Sequence, residues 1–188
     1  MKQLNPHVSV DCVVFGFDGM SLRVLLINSG INSNTKTVKC KLPGSLVFDD
    51  EDLSDAASRV LFELTGLSNI FLQQFQAFGS PERLSNKADL TWLQQTTHLE
   101  IKRVVTVAFY SLIKIDKSKD DERFEWFDVN NLPELTFDHR DIIFRALDRV
   151  RMEFMHEPIE FELLPKCFTI RQLQNLHEVI FNQQFEIL

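Results

Sequence analysis

The sequence has little cysteine and no long apolar run. Cys12, Cys40 and Cys167 are odd in number and far apart, and none belongs to a CxxC pair or a Cys/His cluster, so neither a disulfide framework nor a zinc site is indicated. No stretch approaches the roughly 18 to 20 apolar residues of a membrane helix, and the first residues, MKQLNPHVSVD, lack the apolar core of a signal peptide. These absences predict a cytoplasmic protein with reduced thiols and no membrane partner.

Basic residues are also in the minority. Lys and Arg number 20 against 27 Asp and Glu, which gives a net charge of −7. The molecule as a whole therefore lacks the positive footprint of a nucleic-acid or membrane binder. The 188 residues, 44% of them hydrophobic, suffice for one domain of about 130 to 150 residues and an additional segment.

The first half of the chain shows strand and loop patterns. Residues 8–17 (VSVDCVVFGF) are rich in β-branched and aromatic side chains and predict a strand. A hairpin turn at Asp18-Gly19 leads to a returning strand over residues 22–27. The polar residues 28–37 predict a loop, and residues 45–48 predict a short strand.

The clearest helix follows over residues 50–65, where apolar residues recur at helical spacing behind an acidic start. Residues 80–100 are polar and irregular, which predicts a long surface loop. Strands are predicted on either side of that loop and later in the chain, over residues 70–78, 103–115 and 124–129.

The last part of the chain predicts two helices, over residues 139–157 and 169–181, with Thr169 as the N-cap of the second. A boundary falls just before the first of them. We therefore predict an α/β fold with one domain over residues 1–138 and a helical segment over residues 139–188.

Residues 45–67, SLVFDDEDLSDAASRVLFELTGL, resemble the Nudix box, which reads Gly, five residues, Glu, seven residues, Arg-Glu-aliphatic, one residue, Glu-Glu, one residue, Gly-aliphatic. The positions that match at the family's spacing are Glu51, Arg59, Leu61, Glu63, Gly66 and Leu67. The resemblance implies a Nudix fold, in which a mixed sheet lies between helices.

Three departures from the box bear on activity: Ser45 replaces the glycine, and Val60 and Leu64 replace two glutamates. In active family members the helical carboxylates hold a divalent metal against a pyrophosphate. Positions 60, 63 and 64 share one helix face, and three carboxylates there would suit Mg²⁺ or Mn²⁺. With Glu63 alone, we expect no metal, no cofactor and no catalytic residues.

The surviving box residues have two interpretations. Arg59 and Glu51 either form an ion pair that joins loop to helix or bind a ligand, and Glu63 is either an exposed helix residue or a ligand contact. We expect the old cleft to persist as a ligand pocket lined by Arg59, Glu63, Phe78 and Arg83. Arg83 would donate to a carboxylate, phosphate or sugar, and Phe78 would face a sugar ring. The alternative for Arg83 is a solvated loop arginine.

A second resemblance covers nearly the whole chain and is to the Nudix-related transcriptional regulators. It is carried by DCVVFGFDGMSLRVLLI, AFGSPER, RVVTVAFYSLIKI, FDHRDIIFRALDRVR and EPIEFELLPKCFTIRQLQNLHEVIF. Those proteins join a Nudix-like sensor to a winged-helix DNA-binding domain, and they include NAD-metabolism repressors that sense ADP-ribose and sugar- or arabinose-responsive relatives. The resemblance implies a non-hydrolytic, ligand-sensing homodimer whose effector is a sugar or nucleotide sugar.

The winged helix is expected to be incomplete. Residues 165–188 number 24, whereas a winged helix needs about 60 to 70 residues. Residues 139–188 hold six Lys or Arg against eight Asp or Glu, a net charge of −2, where a phosphate-binding surface should be basic. We expect DNA to be bound only if the winged helix is completed.

Two other functions stay open at this point. One is a divergent Nudix hydrolase of a nucleoside diphosphate derivative such as ADP-ribose, which would need replacement carboxylates such as Glu82 or Glu100. The other is a dimerising modulator of a full-length paralogue.

Overall fold

The computed structural model describes residues 2–31, 38–115 and 121–184. Short 3₁₀ turns lie at Pro81–Leu84 and Ile159–Glu162. None of the described helices is long and apolar enough to cross a membrane. The strands and helices are β1 (Leu4–Phe17), β2 (Leu22–Ile31), β3 (Val38–Lys41), β4 (Gly44–Phe48), α1 (Leu53–Thr65), β5 (Gln73–Phe78), α2 (Lys87–Thr97), β6 (Val105–Lys114), β7 (Glu125–Asp128), α3 (His139–Phe154) and α4 (Ile170–Phe181).

The strands form a mixed sheet in the order β3-β2-β1-β6-β5, with β4 paired to β1 and β7 paired to β2. One edge of β1 runs parallel to β6 over residues 8–17. The other edge is shared, because β2 pairs with residues 15–17 and β4 pairs with residues 9–11. Two strands that share one edge must separate beyond their pairing, so a cleft opens between β2 and β4.

The sheet lies between helices, as the sequence predicts. Alternate residues of β1 point to opposite faces. Val10, Cys12 and Val14 pack with α1 on one face. Val13 and Phe15 pack with α3 and α4 on the other. The predicted α/β architecture, a mixed sheet between helices, is therefore confirmed.

The prediction of a loop over residues 80–100 is wrong, because this polar stretch contains a 3₁₀ turn and the helix α2. Asn86 caps α2 by accepting hydrogen bonds from the N–H groups of Ala88 and Asp89. The position of α2 that is fully buried holds Asp89. Since that buried position is a carboxylate, α2 lacks the apolar stripe by which helices are found in a sequence.

The predicted loop at residues 28–37 is also partly wrong. β2 continues to Ile31 and pairs with β3, which places Asn28 opposite Cys40. The Ser29 hydroxyl donates to the carbonyl of Lys39 at 2.8 Å. Strand pairing thus overrides the polar composition of residues 28–31, while residues 32–37 lie outside the described part of the chain.

The two predicted C-terminal helices are present as α3 and α4. The buried side chains of α3, Ile142 and Ile143 among them, belong to the same apolar core as the strands. Thr169 caps α4 in a reciprocal capping box with Gln172. Leu176 of α4 also joins that core. A domain boundary at residues 138 and 139 stays a prediction.

Candidate functional site

A cavity of about 400 Å³ occupies the cleft between β2 and β4. We call it the box cavity, because the box residues Ser45, Glu63 and Leu64 line it. Part of its lining is charged or polar and part is apolar, a common composition for small-molecule sites. The residues from outside the box that the following paragraphs use are Asp11, Lys41, Arg83, Trp92, Phe137 and His139.

The matching box residues form an ion-paired group at the edge of this cavity, which we call the rim triad: Glu51, Arg59 and Glu63. Glu51 accepts from Arg59 Nε at 2.6 Å and Nη2 at 2.7 Å. Arg59 Nη1 donates to Glu63 at 3.0 Å, and its guanidinium lies 4.2 Å from the centre of the Phe48 ring. The hydrogen bond from Arg59 lowers the pKa of Glu51. The ion pair between loop and helix is thus present, and Arg59 does not line the cavity.

The two box positions that have lost a glutamate are apolar in the structure as well as in sequence. Val60 is 0% exposed and packs in the core beneath α1. Leu64 is partly buried against the same core and lines the box cavity. Glu63 is 56% exposed on its side chain and is paired with Arg59. The box therefore does not fit the divalent metal of the active family, and no group of three or more His, Cys, Asp or Glu in the described ranges is arranged to hold one.

Four polar residues form a group beneath the cavity that we call the floor network: the buried Asp11, Arg83 and His139 and the half-buried Asp138. Arg83 Nη2 donates to Asp11 Oδ2 at 3.0 Å, and Arg83 Nη1 lies 2.7 Å from Asp138 Oδ1. His139 Nε2 lies 3.4 Å from Asp11 Oδ1. Burial by itself would raise the pKa of Asp11, but His139 and Arg83 hold it below its usual range. The network joins β1, the 3₁₀ turn and the start of α3.

Backbone contacts hold this network in place. The N–H of Leu42 donates to His139 Nδ1 at 3.1 Å, so the proton of a neutral His139 is on Nε2, facing Asp11. Gly44 packs directly on the Asp11 carboxylate, where a Cβ would come within 1.9 Å of Oδ1. Residue 44 must therefore be glycine for Asp11 to sit where it does.

The ammonium group of Lys41 is the cation of the cavity that has no ion pair in the described residues. Its Nζ donates to the carbonyl of Gly44 at 3.0 Å and lies 5.1 Å from the centre of the Trp92 ring. Burial lowers the pKa of Lys41, although Asp11 acts in the opposite direction. A cation with no carboxylate in ion-pair contact, next to an aromatic ring, favours an anionic ligand.

A second cavity, of about 540 Å³, lies on the other side of Arg83 and Phe137, which line both. Phe78, predicted to contact the ligand, lines this second cavity and not the box cavity. There Lys39 pairs with Asp89 at 3.2 Å, and Asp89 also accepts from the N–H of Phe137 at 2.9 Å. The four predicted ligand residues are thus dispersed: Glu63 lines the box cavity, Phe78 the second, Arg83 both, and Arg59 neither.

Arg83 is 8% exposed, so the alternative of a solvated loop arginine is wrong. Its contact with a ligand stays a prediction, and both terminal nitrogens already face carboxylates. The replacement carboxylates considered for a hydrolase also lie elsewhere: Glu82 lines the second cavity, and the exposed Glu100 pairs with Lys102 at 3.1 Å.

Sequence reasoning missed several residues of this site: Asp11, Lys41, Trp92 and His139. One signal for Asp11 was available, since it is the one charged residue in the apolar strand VSVDCVVFGF, and a buried charge requires a partner. Nothing in the sequence pattern indicated that Lys41 would lie against Trp92 of α2.

A family model, NUDIX domain, matches residues 5–146. The chain is 28% identical over 190 residues to the ADPR responsive transcriptional repressor NtrR of Acinetobacter baylyi, which covers 97% of this chain and 69% of that protein. It is 28% identical over 144 residues to an ADP-ribose pyrophosphatase of Methanocaldococcus jannaschii, with 74% and 72% covered. Among solved structures it resembles Shewanella oneidensis NrtR at 23% identity, with a TM-score of 0.72 and 98% and 80% covered.

Proposed function

The chain belongs to the NUDIX family, and we propose that within it the protein is a ligand-sensing regulator of transcription and not a hydrolase. Two relatives at 28% identity represent these two functions, one a transcriptional repressor and the other a pyrophosphatase. The repressor aligns with 97% of this chain and the pyrophosphatase with 74%. The regulator is also expected to act in the cytoplasm.

The observation that carries this proposal is the apolar state of Val60 and Leu64. Both side chains are part of the packing beneath α1, so no carboxylate from these positions can reach a metal. Glu63, the remaining box glutamate on that face, already pairs with Arg59. A single exposed carboxylate supplies too few oxygen ligands for Mg²⁺, which prefers six.

For the effector, we propose a ligand with both an anionic group and a ring, in the class of ADP-ribose and other nucleotide sugars. Lys41 offers a positive charge, and Trp92 offers an aromatic face beside it. An uncharged sugar has no anionic group, so it would not pair with the ammonium group of Lys41, which has no carboxylate in ion-pair contact. A sugar such as arabinose and a phosphosugar are therefore compared with ADP-ribose as alternative effectors.

The first experiment measures thermal stability with ADP-ribose, AMP, ribose 5-phosphate and arabinose. A ligand present at a hundred times its dissociation constant adds about 2.7 kcal/mol of stability, an easily detected shift. We expect ADP-ribose to raise the melting temperature of the wild type but not of Lys41→Met. The matched control is Lys102→Met, an exposed lysine that does not line the cavity. Absence of a shift with all four compounds contradicts the proposal.

A second experiment separates sensor from hydrolase. ADP-ribose is incubated with the protein and Mg²⁺ or Mn²⁺, and AMP release is measured against a blank. We expect no turnover. Metal-dependent turnover that Glu63→Gln abolishes would establish the hydrolase instead.

We further propose that this chain alone has little affinity for duplex DNA. The helices α3 and α4 pack on the sensor domain, but residues 139–188 carry a net charge of −2. In a gel-shift assay we expect this chain alone to bind duplex DNA weakly and without sequence preference. Sequence-specific binding at nanomolar concentration and physiological salt would overturn this.

We also propose a homodimer built through the Nudix-type domain, since regulators with two-fold symmetry present paired modules to paired half-sites. Light scattering at tens of micromolar should give the mass of a dimer. A monomer contradicts this assembly, and a monomer that pairs with a full-length paralogue would support the dimerising modulator.

A further inference from the structure

β6 is fully paired on one edge and only partly paired on the other. β1 pairs with it over residues 105–114. On the opposite edge β5 pairs with residues 106–110, where Gln73 faces Tyr110 at the last position. In the described part of the chain, residues 111–114 of β6 therefore face no strand on that side.

A cavity of about 550 Å³ lies at this unpaired edge. Its lining includes five consecutive residues of β6, 110–114, and across from them residues 69–71, where the chain approaches β5. Successive side chains of a strand point to opposite faces of the sheet, so a cavity that contacts five in a row faces the edge of the strand. We call it the edge cleft. It shares no lining residue with the box cavity.

The edge cleft is acidic and has an exposed aromatic side chain. Three glutamates from the end of α3 and the following turn line it, with Lys114 as the opposing cation. Glu153 is engaged by Arg149 at 2.7 Å and by Tyr110. Glu157 and Glu162 are exposed and have no ion pair within the described ranges. Phe71, 80% exposed, provides apolar surface at the rim.

We propose that the edge cleft binds an extended peptide segment of a partner protein, which adds to β6 as a strand and carries alternating basic and apolar side chains. Open backbone groups of residues 111–114 would bond to the peptide main chain, as in other cases of strand addition. Four residues of strand span about 13 Å. Glu157 and Glu162 complement basic side chains, and Phe71 complements apolar ones. The same acids would discourage edge-to-edge pairing with uncharged strands.

The test uses the peptide Val-Lys-Val-Lys-Val-amide, labelled with fluorescein at its N-terminus, and fluorescence anisotropy at low salt. The peptide is then N-methylated at one residue at a time, which removes one backbone donor. Strand addition predicts that methylation weakens binding at least tenfold at alternate positions and has little effect at the positions between. Hydrogen exchange of the protein should slow over residues 110–114 when the peptide binds.

Charge is tested with Glu157→Gln/Glu162→Gln, which should weaken peptide binding roughly threefold to tenfold, as expected for two exposed ion pairs. The matched control is Glu100→Gln/Asp50→Asn, which removes the same charge outside the edge cleft and should leave binding unchanged. The inference is overturned if the peptide fails to bind at millimolar concentration. It is equally overturned if N-methylation has no alternating effect, or if both double variants weaken binding alike.

Discussion

Two ion-paired groups flank the box cavity, and they differ in depth. The rim triad lies nearer the surface: the side chain of Glu63 is 56% exposed and that of Arg59, which stacks on Phe48, is 19% exposed, although Glu51 is only 7% exposed. The floor network is buried more deeply: the side chains of Arg83, Asp11 and His139 are 5%, 6% and 3% exposed, and that of Asp138 is 23% exposed. The rim belongs to the Nudix box, whereas the floor network lies wholly outside it.

This difference indicates that the recognisable motif and the residues expected to contribute most to the stability of the site are separate groups. Exposed ion pairs contribute little to stability because water competes for both partners. A buried pair becomes costly when one partner is lost, since the other charge is left without compensation. The sequence motif thus identifies the family, while the floor network determines the shape of the cavity.

The largest effect is expected for Arg83→Ala. Removing this guanidinium leaves the buried Asp11 with His139 as its remaining partner and leaves Asp138 without its arginine, and we expect a loss of about 3 to 5 kcal/mol in the free energy of unfolding. Urea denaturation measures it. The control is Arg145→Ala, whose exposed pair with Asp141 should contribute less than about 1 kcal/mol. Equal effects of the two variants would mean that the floor network does not act as a unit.

A smaller effect is expected for Arg59→Ala at the rim. The variant removes two hydrogen bonds to Glu51 and the stacking on Phe48, but Glu51 keeps its hydrogen bond from the N–H of Phe48. We expect a loss of about 1 to 2 kcal/mol in unfolding experiments. A loss as large as that of Arg83→Ala would remove the distinction between rim and floor.

The pH dependence of stability sharpens the comparison further. Because Arg59 lowers the pKa of Glu51 in the folded state below its ordinary value of 4.5, this residue stabilises the fold above that pH. The contribution falls as the pH drops below 4.5 toward the folded pKa. We therefore expect Glu51→Gln to be less stable than the wild type at pH 6 and closer to it at pH 3. Parallel stability curves for the two proteins would contradict this.

The smallest effect is expected for Glu63→Gln. Its carboxylate is exposed and makes a single i,i+4 pair with Arg59, which is worth about 0.3 to 0.5 kcal/mol. A melting curve should show almost no change. A loss of 2 kcal/mol or more would show that the rim triad is as integral to the fold as the floor network.

The fold was predictable because its strands and main helices carry regular apolar patterns, and because the box fixes one strand, loop and helix together. The helix α2 was missed because its buried position holds Asp89. The floor network was missed because its residues lie far apart in the chain. Asp11, for example, is 72 residues before its partner Arg83. Such a meeting follows from the pairing of strands, which no local pattern of residues specifies.

The pairing of the central strand β1 also affects how slowly its amide protons exchange with solvent. At residues 9–11 and 15–17 it is paired on both edges, with β6 on one side and with β4 or β2 on the other. The amide protons at these doubly paired positions can then exchange with solvent only when the whole molecule opens. Their exchange rate therefore reports on global unfolding. A ligand bound in the box cavity or in the second cavity would slow this exchange by the factor 1 + [L]/Kd.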